Sequence, residues 1–466
     1  MLSMKRRGAA RLAAAVMASG LVAAGAIATA GTAAADETTP AHGGATATLG
    51  GLKTFDQAVV HNEGGDQRVG AGLFEMAVDN GGTLQTYCID IHNPTQQQAK
   101  YQEVPWSASS LHNNGDAGKI RWILQNSYPQ VNDLAALASK AGAGNLTEKT
   151  AAAGTQVAIW RFSDHVKVDA VDPAAEKLAD YLEKSAQNVG EPKASLTLDP
   201  PAVSGKSGGK LGPVTVHTNA DSVTISPAAG APAAGVKIVG KDGKPATSAT
   251  DGTQLFFDVP KGAADGSTSL TAQAATKVPV GRAFTGIGEH AKSQTQILAG
   301  SSESTVSAAA SASWKKQGAI PAITAEKNCA KGGVDVTASN KGDEAFRFQL
   351  SGKDYEIAPG KSQTVTVPVA EDQPYNITIT GAGGFKKSFS GVLDCKTAGS
   401  GGGKPSSQPS PASVGGSTGG DKGGDLAETG SSNATPMIAG IAVVLVLVGG
   451  AAVFFLRKKK VGTPAQ

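Results

Sequence analysis

The segment after Asp172-Pro173, and the change of texture just beyond it, constrain the folding of this chain more than any other feature. Asp172 reads as a helix cap and Pro173 suits the first turn. Ala175, Leu178, Ala179, Leu182 and Ala186 then form one apolar stripe. Glu191-Pro192 marks the exit of a domain. From about Ala194 the chain turns to short β-type runs separated by Gly, Pro, Asp and Ser, among them Val214–His217, Val236–Val239, Leu255–Val259 and Thr295–Leu298. A mixed head followed by all-β material is the architecture this pattern predicts.

Before the helix, Phe74–Val78 and Thr83–Tyr87 read as strands broken at Gly81-Gly82. Helical patterns follow at Ala117–Tyr128, at Leu134–Ala141 and after Thr147. The expected fold class is therefore multi-domain: an α+β head over residues 45–192 and two all-β, Ig-like sandwich stalk domains, at 194–310 and 319–397. In the second of these, Val334–Thr337, Phe346–Leu350, Thr364–Val369 and Tyr375–Thr380 alternate between turns. Residues 398–425, rich in Gly, Ser and Pro, are expected to be a disordered spacer.

The chain has three cysteines. The layout of its ends predicts export, where thiols pair. Cys329 and Cys395 lie in one segment and form the natural disulfide, worth about 4 kcal/mol in the chain-entropy model. Cys88 is left over. Gln156 shares a helix face with Ala152, Ala153, Ile159 and Trp160, an apolar setting in which an unbonded amide costs roughly 1–3 kcal/mol. Attack of the Cys88 sulfur on the Gln156 carboxamide, with loss of ammonia, would give a thioester without amide donors. An amine entering the site would then take the acyl group as an amide and release the thiol.

The flanking residues strengthen this pairing. Tyr87-Cys88-Ile89-Asp90 and Thr155-Gln156-Val157-Ala158-Ile159-Trp160 resemble the thioester domains of Gram-positive surface proteins. In those domains a Tyr-Cys-x-Asp motif supplies the sulfur, and Thr-Gln-x-Ala, often extended by Ile-Trp, supplies the acyl group. The resemblance covers roughly residues 45–190. It implies a Cys88–Gln156 cross-link surrounded by Tyr87, Asp90, Thr155, Ala158, Ile159 and Trp160. Tyr87, Ile159 and Trp160 are expected to shelter or orient the bond, and Asp90 to contact a nearby backbone amide.

The ends add an address. Lys5, Arg6, Arg7 and Arg11 precede an Ala/Val/Leu-rich stretch ending at Ala33-Ala34-Ala35, the layout of a signal peptide over residues 1–35. Residues 426–466 combine Leu426-Ala427-Glu428-Thr429-Gly430, an apolar run at 437–456 long enough for a transmembrane helix, and the basic tail Arg457-Lys458-Lys459-Lys460. This triplet resembles a sortase sorting signal. It implies cleavage after Thr429 and attachment to peptidoglycan, with membrane contact only through the helix before sorting. The formal charge of +3 is misleading, because eight of the 42 basic residues fall in these removable pieces. The remaining 34 basic residues face 39 acidic ones, which argues against nucleic acid as a partner.

The expected function is a cell-wall-anchored surface adhesin that bonds covalently, in a single turnover, to an amine-bearing target, with protein lysine the leading candidate. Two alternatives remain open: a secreted cysteine enzyme using Cys88 with His92 or His165 as base, and a passive coat or stalk protein with a free thiol. No cofactor is expected. The cysteines and histidines lack metal-ligand spacing, so no metal site is expected either.

Overall fold

The computed structural model describes residues 43–228, 231 and 235–395. The expected signal peptide, spacer, sorting motif and transmembrane run lie outside the described residues. Among the described residues, no helix is long and apolar enough to cross a membrane.

A long antiparallel hairpin, β1 (Thr46–Asn62) and β2 (Gly65–Val78), founds the head. Val69, Ala71, Leu73, Met76 and Val78 of β2 are buried, so the hairpin presents an apolar face for helices to cover. β3 (Thr83–Cys88) extends the sheet beyond β2, while β4 (Lys100–Val104) and β5 (Val168–Ala170) pair with β1. The helices are α1 (Ala117–Asn126), α2 (Leu134–Ala141), α3 (Glu148–Ser163) and α4 (Pro173–Ser185).

Helix α3 runs through the centre, touching α1, α4 and both strands of the hairpin. It is buried from Thr150 to Trp160, as an all-round apolar helix must be. Thr147 caps it: its hydroxyl accepts from the Thr150 amide, and the Thr150 hydroxyl accepts from the Thr147 amide. A Cβ on Gly154 would collide with the Ala175 carbonyl, so this glycine permits the close crossing of α4. Asp172 caps α4, and Ala175, Leu178, Ala179 and Leu182 are buried as the stripe predicted.

The β-rich segment departs from the expected boundaries. β6 (Leu196–Asp199), β8 (Lys210–Thr218), β10 (Lys237–Gly240) and β12 (Gln254–Asp258) form one sheet, ordered β10-β12-β8-β6. β7 (Ala202–Lys206), β9 (Val223–Pro227), β11 (Ser248–Ala249), β13 (Gly266–Lys277) and β16 (Glu303–Lys315) form another, ordered β11-β9-β13-β16-β7. The strands between β13 and β16, however, leave this body. β14 (Ala283–Gly286) and β15 (Gln296–Ser301) join the head in a seven-stranded sheet ordered β2-β3-β15-β14-β4-β1-β5.

A head confined to residues 45–192 and a separate stalk domain at 194–310 are therefore both corrected. The physical reason is edge pairing. Without β15, β3 would present unpaired backbone groups beside Cys88, and without β14, β4 would do the same. The two bodies also share one continuous apolar cluster, from Ala45 to Trp314.

A buried ion pair locks this junction. Arg282 donates to Glu103 at 2.8 Å and to Glu191 at 2.9 Å, and Glu103 also accepts from the Ser195 amide and hydroxyl. Glu103 is 1 % exposed and Arg282 4 %. Such a pair is tolerable because both Glu103 oxygens and the Arg282 Nε and Nη1 atoms find partners.

The third body has its own core. β17 (Pro321–Asn328), β18 (Gly333–Asn340) and β21 (Ser362–Pro368) form one sheet. β19 (Phe346–Leu350), β20 (Lys353–Ile357), β22 (Pro374–Gly381) and β23 (Phe385–Val392) form the other. Cys329 and Cys395 are bonded and join the first strand region to the segment after the last.

Candidate functional site

The last residue of β3 and the centre of α3 meet in the interior. Cys88 and Gln156 are both fully buried. The Cys88 amide donates to Gln156 Oε1 at 2.9 Å, and Gln156 Nε2 donates to the Cys88 carbonyl at 2.8 Å. These paired bonds answer the question of why a glutamine sits on an apolar helix face: its amide replaces a missing β-ladder partner at the strand end. They also hold the carboxamide against the residue that carries the thiol.

The Cys88 sulfur accepts from the Asp90 amide at 3.2 Å. The Trp160 indole lacks a conventional hydrogen-bond partner. It lies close enough to the sulfur to favour the thiolate, a contact looser than a hydrogen bond. Burial nevertheless dominates. Together with the charges of Asp164 and Asp90, it pushes the thiol well above its ordinary range, so Cys88 rests as a neutral thiol.

Two buried carboxyls stand beside it. Burial, with the charge of Asp164, raises Asp90 to about 7, while hydrogen bonds from Asn93 oppose the shift. The Asn93 side chain donates to Asp90 Oδ2 at 2.6 Å. Asp90 thus contacts a side-chain amide as well as the backbone amide expected from the sequence. Burial raises Asp164 to about 6, against hydrogen bonds from the Ser163 hydroxyl and the Ile91 amide. Both groups can hold or give up a proton near neutral pH.

The other motif residues form the walls. Tyr87 donates its hydroxyl to the Tyr128 carbonyl at 2.8 Å, next to Thr155. Thr155 donates to the Ala151 carbonyl and shares a 2.7 Å bond with the Ser127 hydroxyl. Ala158, Ile159 and Trp160 are buried around the pair. His92 is partly buried and His165 exposed; the groups acting on the Cys88 sulfur are Asp90, Asp164 and Trp160.

Two features escaped the sequence reading. Asp164, the C-cap of α3, lies past the motif and carries no signal of its own. The second is a buried polar layer delivered by β15. Gln296 is the ladder partner of Cys88, the Thr86 hydroxyl donates to Gln296 Oε1 at 3.0 Å, and the Thr95 hydroxyl donates to Gln294 Oε1 at 2.8 Å. The alternation Gln294-Thr295-Gln296 before an apolar run was its only trace, and it had been placed in the wrong body. A groove of about 700 Å³ lined by Trp106, His112, Asn188, Glu191 and Glu326 includes neither Cys88 nor Gln156. The reactive pair is sealed.

Comparison with known proteins agrees with this geometry. Residues 85–188 match the family model of the thioester domain, and residues 321–392 match that of the bacterial phospholipase C C-terminal domain. None of the curated proteins matches the chain. Among solved structures, the Bacillus anthracis TIE protein is 13% identical with a TM-score of 0.27, over 76% of this chain and 81% of that one. The thioester domain of the Enterococcus faecium TIE86 protein is 18% identical with a TM-score of 0.25, over 60% of this chain and 99% of that one. Likenesses this distant do not fix a fold; the family match and the clamped Cys88–Gln156 pair do the identifying. Residues 85–188, which hold both Cys88 and Gln156, are the part of this chain that matches the thioester domain.

Proposed function

We propose that Cys88 and Gln156 condense into an internal thioester through which an exported, wall-attached adhesin acylates an amine on its target. The observation that carries this reading is the pair of hydrogen bonds holding the Gln156 carboxamide on the Cys88 backbone inside a site closed to water. In the forming step, the sulfur bonds to Gln156 Cδ, the Cδ–Nε2 bond breaks, and the thiol proton leaves with the nitrogen as ammonia. The Cys88 amide is placed to donate to the oxygen as negative charge grows on it. Asp164 and Asp90, with carboxyls raised toward neutrality, are suited to relay the proton.

In the target step an amine attacks the same carbon, an amide forms and the Cys88 thiol is released. The product is a stable link, so the chemistry is a single covalent event rather than turnover. Exclusion of water protects the thioester in the meantime. The sorting signal at residues 426–430 supports sortase and peptidoglycan as partners, with an amine-bearing surface as the target.

The test is the intact mass of residues 36–395, with and without methylamine, beside a Cys88→Ala control. Stopping at residue 193 would remove β15, the partner of Cys88, and spoil the site. The expected mass is short by one ammonia and rises by one methylamine only when Cys88 is present. A full mass with a freely alkylated Cys88 would sink the reading.

A further inference from the structure

The third body reaches the reactive site through a group of carboxyls that neither the thioester chemistry nor the core explains. Glu371, Asp372 and Asp394 each bring an oxygen within 4.8 Å of the others. Asp394 is 2 % exposed, and its Oδ1 has no hydrogen-bond partner among the described residues. Its Oδ2 accepts only a long bond, 3.2 Å, from the Thr295 hydroxyl. A buried carboxyl set among two further carboxyls, with one oxygen left unbonded, calls for a cation.

The local chain holds this cluster in place. The Asp372 amide donates to the Leu393 carbonyl at 2.8 Å, with Asp372 in the left-handed region at φ 56°. The Cys395 amide donates to Glu371 Oε1 at 2.5 Å, and the disulfide anchors Cys395 to Cys329. Burial and the neighbouring acids, Asp90 included, push the Asp394 carboxyl well above its usual range, with Lys327 pulling the other way. Asp90 Oδ1 is likewise buried and unbonded.

We propose that Glu371, Asp372 and Asp394 bind a hard divalent cation of the calcium class at the seam between the third body and the thioester head. All-oxygen donors suit such an ion. Oxygens all within 4.8 Å of one another can share one ion, and a cage of protein carboxylates suits calcium better than magnesium, which dehydrates reluctantly and keeps several waters. Water completes the coordination. Thr295, bonded to Asp394, precedes the ladder partner of Cys88, so the ion fastens the third body to the strand that flanks the reactive pair.

The test is calorimetric titration of the chelator-stripped full chain, in mild detergent, with CaCl2 and separately with MgCl2. One calcium per chain with a Kd of about 10⁻⁴–10⁻³ M is expected, as for extracellular modules, with magnesium at least tenfold weaker. Asp372→Asn and Glu371→Gln should each weaken calcium tenfold or more. These two variants keep the test decisive if Asp394→Asn fails to fold. Absence of calcium binding, undiminished binding in both variants, or equal affinity for magnesium would overturn the proposal. So would a chain that takes no calcium but loses stability on Lys327→Met, since Lys327 would then be the neutralising group.

Discussion

Removing the Gln156 side chain tests whether its amide is the structural clamp on the strand end. The comparison is made in a Cys88→Ala background, where no thioester can form and the hydrogen bonds stay as described. Cys88 contributes only backbone groups to the clamp, so its substitution leaves both bonds available. Gln156→Ala then strands one amide and one carbonyl in a fully buried site. An orphaned buried polar group costs about 1–3 kcal/mol, so the pair should cost about 2–6 kcal/mol. Amide hydrogen exchange at position 88, read by mass spectrometry of peptides, is the assay. Its protection should fall by about thirtyfold or more, since each 1.4 kcal/mol is a factor of ten when exchange follows local opening. Protection within twofold of the background, with an unchanged unfolding midpoint, would refute the claim that Gln156 holds Cys88 in place.

Arg282→Met should destabilise the chain by about 3–5 kcal/mol, because it leaves Glu103 charged and buried; a urea midpoint unchanged from wild type would show that the pair does not lock the junction. Replacing Cys329 and Cys395 with serine opens a loop of 66 residues, which should cost about 4 kcal/mol in the chain-entropy model, read as a lower unfolding temperature under non-reducing conditions. Stability should fall as pH rises from 4 to 7. Burial lifts the folded Asp164 carboxyl to about 6, so its stabilising protonation is complete below about pH 4 and is lost as pH climbs through about 6. Two pKa units correspond to about 3 kcal/mol. Asp164→Asn should flatten that part of the curve, and an unaltered slope in urea titrations at the two pH values would contradict the assignment.

The motif pair was legible before any coordinates because its chemistry is local. A lone cysteine and a glutamine on an apolar helix face raise the pairing, the resemblance of their flanking motifs to thioester domains points to it, and Thr147 and Asp172 announce the starts of α3 and α4 through capping. The β runs were also visible as runs. Their partners were not, because alternation specifies a strand and one buried face without naming the neighbour. Thr295–Leu298 looked like any strand of the segment around it, yet it pairs with β3 and places Gln296 opposite Cys88.

The sequence by itself therefore determined the helices, through short-range rules of capping and periodicity, and pointed to the reactive pair, the disulfide partners and export through motifs, cysteine placement and the composition of its ends. Only the tertiary structure decided that the head is completed by strands from beyond residue 280, that Glu103 and Arg282 meet in its interior, and that Asp394 reaches the seam beside the reactive site. These are contacts between residues about 100 to 200 positions apart. They follow from the need to satisfy strand edges and buried charges, and that need is met wherever the folded chain supplies a partner rather than at any fixed spacing.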